Sequence, residues 1–391
     1  MKTFNRKTVF FSACLAILIF GIMMTALGSI LPSITAKFSM TTLNAGSLFL
    51  LMTFGMLIGS IIFGPVVDRF GYKALLIVCS AAIALGLEGM AYAPSLLLFR
   101  ISVFVTGLGG GVINGGANAL VADIAVEDKG SDLSFLGIFF GFGAFGVPFV
   151  MGILLGFFSF ESLLAIIGAL VLIPFAVFFA VSFPSPKIQQ GFPLRRGVLL
   201  LKDRALTTLG IILFFESGME ITTCGWASTF LYQEFNAGEG LATLILSFFW
   251  LGLITARLIL IKLLKSVSPV WVMAASIGVA FTGSLMMAGA GNIVTASIGL
   301  VFLGIGFAAV FPVILGFVGN MYPELSGTAF SIVLAMALTG GMILPWLTGV
   351  IGNYFGMRIS FLVVTFSLIA VAILFSAYKL KLMPRFSSDD K

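Results

Sequence analysis

Twelve apolar runs, most of twenty or more residues and each bounded by charge, proline or glycine, constrain this 391-residue chain more tightly than any motif in it. They begin near Val9, Leu43, Ala74, Leu96, Leu133 and Ser162, and again near Ala205, Leu241, Pro269, Ile293, Thr328 and Phe361. A helix of about 20 apolar residues crosses a bilayer. The expected fold class is therefore an all-α integral membrane protein with about twelve transmembrane helices. Composition agrees: at 60% apolar and 9% charged residues the chain could not stay dissolved as a globule. The first run, from Val9 to Ile34, is too long for a signal-peptide core and is expected to remain as the first span.

The few charges cluster at the ends of the runs, so the formal charge of +6 reads as a set of orientation signals rather than a nucleic-acid-binding stripe. The longest polar connection, 184–204, holds Pro184, Pro186 and Pro193 with Lys187, Arg195, Arg196, Lys202 and Arg204. The positive-inside rule puts it in the cytoplasm together with Lys2, Arg6, Lys7, Arg69, Lys73, Lys262, Lys265, Lys379, Lys381 and Arg385. Both termini are then cytoplasmic and the lipid bilayer, here a cell inner membrane, is the main partner. Cys14, Cys79 and Cys224 sit inside apolar runs without CxxC spacing or any histidine nearby, which supports neither a disulfide framework nor a metal site. The sequence has no nucleophile motif and no phosphate loop followed by lysine. An enzyme is not expected, no cofactor is implied, and any transport must draw on a gradient.

An internal repeat underlies the runs. Gly21 and Gly218, Thr25 and Thr222, Gly28 and Gly225, Phe38 and Phe235, and Gly55 and Gly252 all lie 197 residues apart. The same offset pairs Gly107 with Gly304, Gly109 with Gly306, Gly143 with Gly340, Pro148 with Pro345 and Gly152 with Gly349. Two parallel six-helix repeats follow: residues 1–183, a cytoplasmic linker at 184–204, and residues 205–391.

Between the second and third runs stands an island of charge and turn residues, Gly64-Pro65-Val66-Val67-Asp68-Arg69-Phe70-Gly71-Tyr72-Lys73. Gly71 allows a tight turn, and an acid at a helix end can face the N-terminal dipole of a neighbour. The order of acid, base, glycine and base resembles the signature loop between helices 2 and 3 of the major facilitator superfamily, with Tyr72 in place of the first of two basic residues. The twelve runs and the repeat extend that resemblance over essentially the whole chain. It implies alternating access between two halves, with Asp68, Arg69, Lys73 and Asp123 as a cytoplasmic gate.

Charged side chains at mid-membrane depth cost at least ~2.5 kcal/mol each, so they mark function by default. Glu216 and Glu220 in the seventh run are four apart and share a face with Thr223, about 16 to 22 Å from the helix start. Either they face a wet cavity, or they pair with a base on another helix; Arg100 and Arg257 lie nearer opposite ends of their runs. Asn114 and Asn118 lie one turn apart in the fourth run and suit hydroxyl groups, or serve as interhelical glue. Gly143, Gly146, Pro148 and Gly152 with Gly340, Gly341, Pro345 and Gly349 are either sliding faces between the halves or static close packing.

The Gly218-Met219-Glu220 and Gly225-Trp226 segments, the run from Asn118, and Gly143 to Pro148 resemble the fucose-permease branch of sugar symporters. That branch has an acid in its first helix, whereas Gly21 to Pro32 holds none here. The resemblance implies uptake of a small polyhydroxylated solute, a monosaccharide, with a proton or sodium ion by a monomeric carrier. Asn114, Asn118, Glu220, Thr223 and Trp226 would contact sugar, Trp226 alternatively being an interfacial or packing aromatic, and Glu220 with Glu216 would carry the cation. The competing reading is a proton-coupled efflux carrier for amphipathic or cationic compounds, which Val147 disfavours by interrupting the antiporter-type Gly-Pro signature. A non-transporting receptor or scaffold is weakest, because the loops are short.

Overall fold

A computed structural model describes residues 4–124, 129–184, 200, 202–264, 266–322 and 326–381, within which the chain is all-helical. Among the described residues twelve helices are long and apolar enough to cross a membrane. We label them α1 (Arg6–Lys37), α2 (Thr42–Gly64), α3 (Arg69–Ala91), α4 (Leu96–Ile124), α5 (Phe135–Leu154) and α6 (Phe160–Ala180), then α7 (Arg204–Phe235), α8 (Glu239–Leu263), α9 (Pro269–Ala288), α10 (Ile293–Met321), α11 (Ala329–Phe355) and α12 (Met357–Leu380). Side-chain oxygens start several of them: Asn5 caps α1, Ser159 caps α6, and Asp203 accepts from the amides of Ala205 and Leu206 at the head of α7. Pro32, Pro148, Pro174 and Pro345 lie inside helices, where neighbouring helices can compensate for the lost backbone bond.

The expected loop between α2 and α3 is not a loop. Helix continues from Thr42 to Ala91 with one interruption, Gly71 at φ 78° and ψ 166°, a conformation only glycine adopts without strain. That single residue reverses the chain between two spans. α10 is also divided, into Ile293–Phe307 and Val310–Met321.

Packing follows the 197-residue offset. α1 packs on α5 as α7 does on α11, α2 and α3 on α4 as α8 and α9 do on α10, and α3 on α6 as α9 does on α12. The equivalence holds at single residues. A Cβ on Gly107 would meet the carbonyl of Met52, and one on Gly304 would meet the carbonyl of Phe249, its equivalent. Gly55 lies against Phe104 and Leu108, and Gly252 against Val301 and Ile305. Between the two groups of six, α2 meets α11 and α5 meets α8, again equivalent pairs, while α1 meets α7 across the centre.

Candidate functional site: a central route sealed at one end

The start of α1, the Gly71 turn, the end of α6 and the start of α7 share one side of the bundle, the linker face; the α1–α2 and α7–α8 turns share the opposite face. Hydrogen bonds that join the halves gather toward the opposite face. Ser228 Oγ donates to the Gly28 carbonyl at 2.6 Å, Thr243 Oγ1 to the Ser29 carbonyl at 3.1 Å, and Ser33 Oγ to Glu239 Oε2 at 2.7 Å. Deeper in, Thr53 Oγ1 donates to the Gly341 carbonyl at 3.3 Å. Backbones touch beside these bonds: a Cβ on Gly349 would lie 2.9 Å from the Gly46 Cα and 2.9 Å from the Thr42 carbonyl.

Burial tells the same story along α1 and α7. Residues 23–34 of α1 and 221–231 of α7 are buried without a break, whereas toward the linker face both helices show part-exposed positions, among them Leu15, Leu18 and Ile22, and Ile211, Phe214 and Phe215. The halves are zipped at the opposite face and part toward the linker face. Of the glycines expected on sliding faces, Gly152, Gly341 and Gly349 lie between the halves, but Gly143 packs on Leu18 and Gly21 of α1, and Gly340 on Phe214 of α7. Contacts between the halves and packing within one half are thus both present, at different residues.

The candidate ligands divide between the linker side of this seal and the seal itself. Asn114 and Asn118 are part-exposed on α4, and the Asn118 amide donates to the Asn114 carbonyl at 2.8 Å and to its Oδ1 at 3.1 Å. Glu220 is part-exposed and immediately precedes the buried stretch of α7. Glu216, one turn nearer the linker face, is fully buried; Ser217 donates to its Oε2 at 3.1 Å while Oε1 has no partner. Thr223 and Trp226 do not line a wall. Both are fully buried in the seal, with the Trp226 indole N–H donating to the Pro345 carbonyl at 2.9 Å and its ring packed 5.7 Å from that of Phe49 across the halves. In this state Trp226 is a packing aromatic, the alternative that the sequence also offered. A buried indole N–H needs an acceptor, and the Pro345 carbonyl supplies it.

Arg257 of α8 was expected near a span end, away from the acids. Its guanidinium is close enough to act through space on both Glu216 and Glu220, yet the ion pairs among the described residues, Arg6 with Asp132, Lys37 with Glu161 and Arg358 with Glu234, leave it out. Its Nε is buried without a hydrogen-bond partner. The length of an arginine side chain is the signal that counting residues from the helix end misses.

The residues expected at the cytoplasmic gate have these partners among the described residues. Arg69 is exposed and lies over the Phe70 ring at 5.3 Å, Lys73 Nζ donates to the Phe179 carbonyl, and Asp123 accepts from the Tyr72 hydroxyl at 2.7 Å. Every one of these partners belongs to the first six helices. The side chain of Asp68 lies outside the described residues. Tyr72, standing where the signature loop carries a base, is buried and ties the turn to α4. Removing that hydroxyl takes one donor from a part-buried carboxylate, so Tyr72→Phe is expected to cost about 0.5–1.5 kcal/mol, the net worth of one hydrogen bond. A lowered melting temperature in detergent would show it, and an unchanged one would mean that the bond contributes nothing.

With this geometry in hand, comparison with known proteins is direct. The family model described as Major Facilitator Superfamily matches residues 13–223 and 209–389. An uncharacterized MFS-type transporter, YfkL of Bacillus subtilis (strain 168), is 22% identical over 373 residues, covering 92% of this chain and 93% of that one. The 4-hydroxybenzoate transporter PcaK of Pseudomonas aeruginosa is 32% identical over 161 residues, 39% of this chain and 34% of its own. The crystal structure of a D-xylose-proton symporter superposes with a TM-score of 0.79 at 15% identity, covering 94% of this chain and 97% of that one, a likeness of fold.

Proposed function

Because the chain belongs to the Major Facilitator Superfamily and is a multi-pass membrane transporter rather than an enzyme, we propose that it takes up a small polyhydroxylated solute, a monosaccharide or close derivative, in symport with a proton or sodium ion. The observation that carries this reading is a seal at one face of the bundle with polar side chains outside it: the part-exposed amides Asn114 and Asn118 on α4, and on α7 the part-exposed Glu220 beside the buried Glu216. Amides match sugar hydroxyls as both donors and acceptors. Carboxyls at this depth can hold a cation on one side of the seal and release it on the other. The fold shared with a D-xylose-proton symporter supports the reading, as does a partial match to a D-xylose transporter of Levilactobacillus brevis, 25% identical over 136 residues.

In this reading the protein sits in the inner membrane with both termini cytoplasmic, so the linker face is the cytoplasmic one and the chain is inward-open. Asp68, Arg69, Lys73 and Asp123 then close the cytoplasmic side only in the alternate state, and Thr223 and Trp226 meet substrate only when the seal opens. The monomer is a sufficient unit, since each half contributes one wall. The test is a thermal-shift screen of the purified protein against pentoses, hexoses and their derivatives, at two pH values with and without sodium. A ligand raises the melting temperature by binding the folded state, and a cation requirement for that shift identifies the coupled ion. A complete set of sugars and sugar derivatives without a shift would reject the substrate class.

A further inference from the structure

We propose that Arg257 is a carboxylate site, and that the substrate is a hydroxylated monocarboxylate such as a sugar acid rather than a neutral sugar; this rests on the symport reading above. Three observations converge. Arg257 is part-exposed on α8, inside the bundle, one turn from Ile254, whose side chain a Cβ on Gly141 of α5 would meet at 2.6 Å. Its Nε is buried with no partner, and no ion pair among the described residues includes it. Its helix packs against α7, which carries Glu216 and Glu220, and Oε1 of Glu216 is likewise without a partner. A guanidinium presents a planar fork of donors that fits a carboxylate in bidentate fashion, and one left open inside a membrane protein needs an anion.

The neighbouring charges make the site conditional. With both glutamates ionised the three groups sum to a net negative charge that repels a carboxylate; with both protonated, Arg257 is the lone charge and attracts one. Other helices packed nearby add nothing ionisable at this depth. α5, α9, α10 and α11 contain no Asp, Glu, Lys or Arg, and Glu239 and Lys262 stand at the two ends of α8. Of the cysteines, Cys224 is buried in the seal and Cys14 inside α1. Cation uptake at the acids and anion uptake at Arg257 are therefore linked by electrostatics alone, which is the requirement for symport.

The experiment measures equilibrium binding to the full-length protein for matched pairs, D-xylonate with D-xylose, D-gluconate with D-glucose, and 4-hydroxybenzoate with 4-hydroxybenzyl alcohol. At least one carboxylate is expected to bind ~10-fold or more tightly than its neutral partner. Arg257→Gln should erase that preference and Arg257→Lys should keep part of it, with the carboxylate affinity of the wild type falling as pH rises. If no carboxylate outbinds its partner, or if Arg257→Gln keeps the preference, the proposal is overturned. Neutral sugars binding alone would overturn it while leaving the sugar-symport reading intact. Carboxylate binding that depends on Arg257 but produces no gradient-driven uptake in liposomes would instead sink the symport reading.

Discussion

Glu220→Gln is expected to bind and exchange substrate but to lose accumulation against a gradient, with the uptake ratio falling by ~10-fold or more. Glutamine keeps the size of the side chain and imitates the cation-loaded, uncharged carboxyl. The position makes the effect large: Glu220 is the last part-exposed residue on α7 before the buried stretch 221–231 begins, so it faces the open route in this state and borders the seal that must break in the next. A permanently neutral group there lets the carrier cycle with substrate but ties no ion movement to the cycle. The measurement is counterflow beside gradient-driven uptake in proteoliposomes, at several pH values and sodium concentrations. If Glu220 only contacts substrate, affinity falls and coupling survives. Full accumulation by Glu220→Gln would remove it as the coupling residue and turn attention to Glu216.

The architecture could be read from the chain because lipid enforces it residue by residue. Each apolar run has to become a helix long enough to cross, and glycines 197 residues apart mark where backbones touch in both halves, as Gly107 with Met52 and Gly304 with Phe249 demonstrate. Depth along a helix was legible too. Which way a side chain faces was legible only relative to its own helix, so Glu216, Glu220 and Thr223 could be put on one face while the fate of Thr223, buried behind the seal, could not.

What the linear chain withheld is what depends on a second helix. Trp226 looks the same in sequence whether it stacks on a ligand or caps the Pro345 carbonyl. Tyr72 reads as a missing base until Asp123 is found 2.7 Å from its hydroxyl, and Arg257 reads as a terminal charge until its Nε is found buried without a partner on a helix packed against α7. The state of the carrier is in the same class. Whether Ser228 finds the Gly28 carbonyl is a property of one conformation in an equilibrium and not of the sequence between them.

That equilibrium supplies the second large effect. Gly349→Leu is expected to unseal the opposite face, because a Cβ at this position would already lie within 3.0 Å of the Gly46 Cα, the Thr42 carbonyl and the Trp226 ring, two of them backbone that cannot turn aside. Overpacking of this kind costs about 1–3 kcal/mol or more, which at 1.4 kcal/mol per tenfold moves a two-state balance by roughly 5- to 150-fold. The strain disappears when α2 and α11 separate, so the population shifts toward the state open at the opposite face instead of unfolding. The chain carries its own reporter: Cys224 is buried in the seal, with its thiol 3.8 Å from the Met24 carbonyl. In a background with Cys14 and Cys79 replaced by serine, a membrane-impermeant maleimide added from the opposite face should label Cys224 slowly in the parent and much faster in Gly349→Leu. Gly46→Leu, across the same contact, should act alike, and Gly146→Leu, whose Cβ would meet nothing within 4 Å, should not. Equal labelling in all four proteins would mean that the contact between Gly46 and Gly349 does not hold the seal.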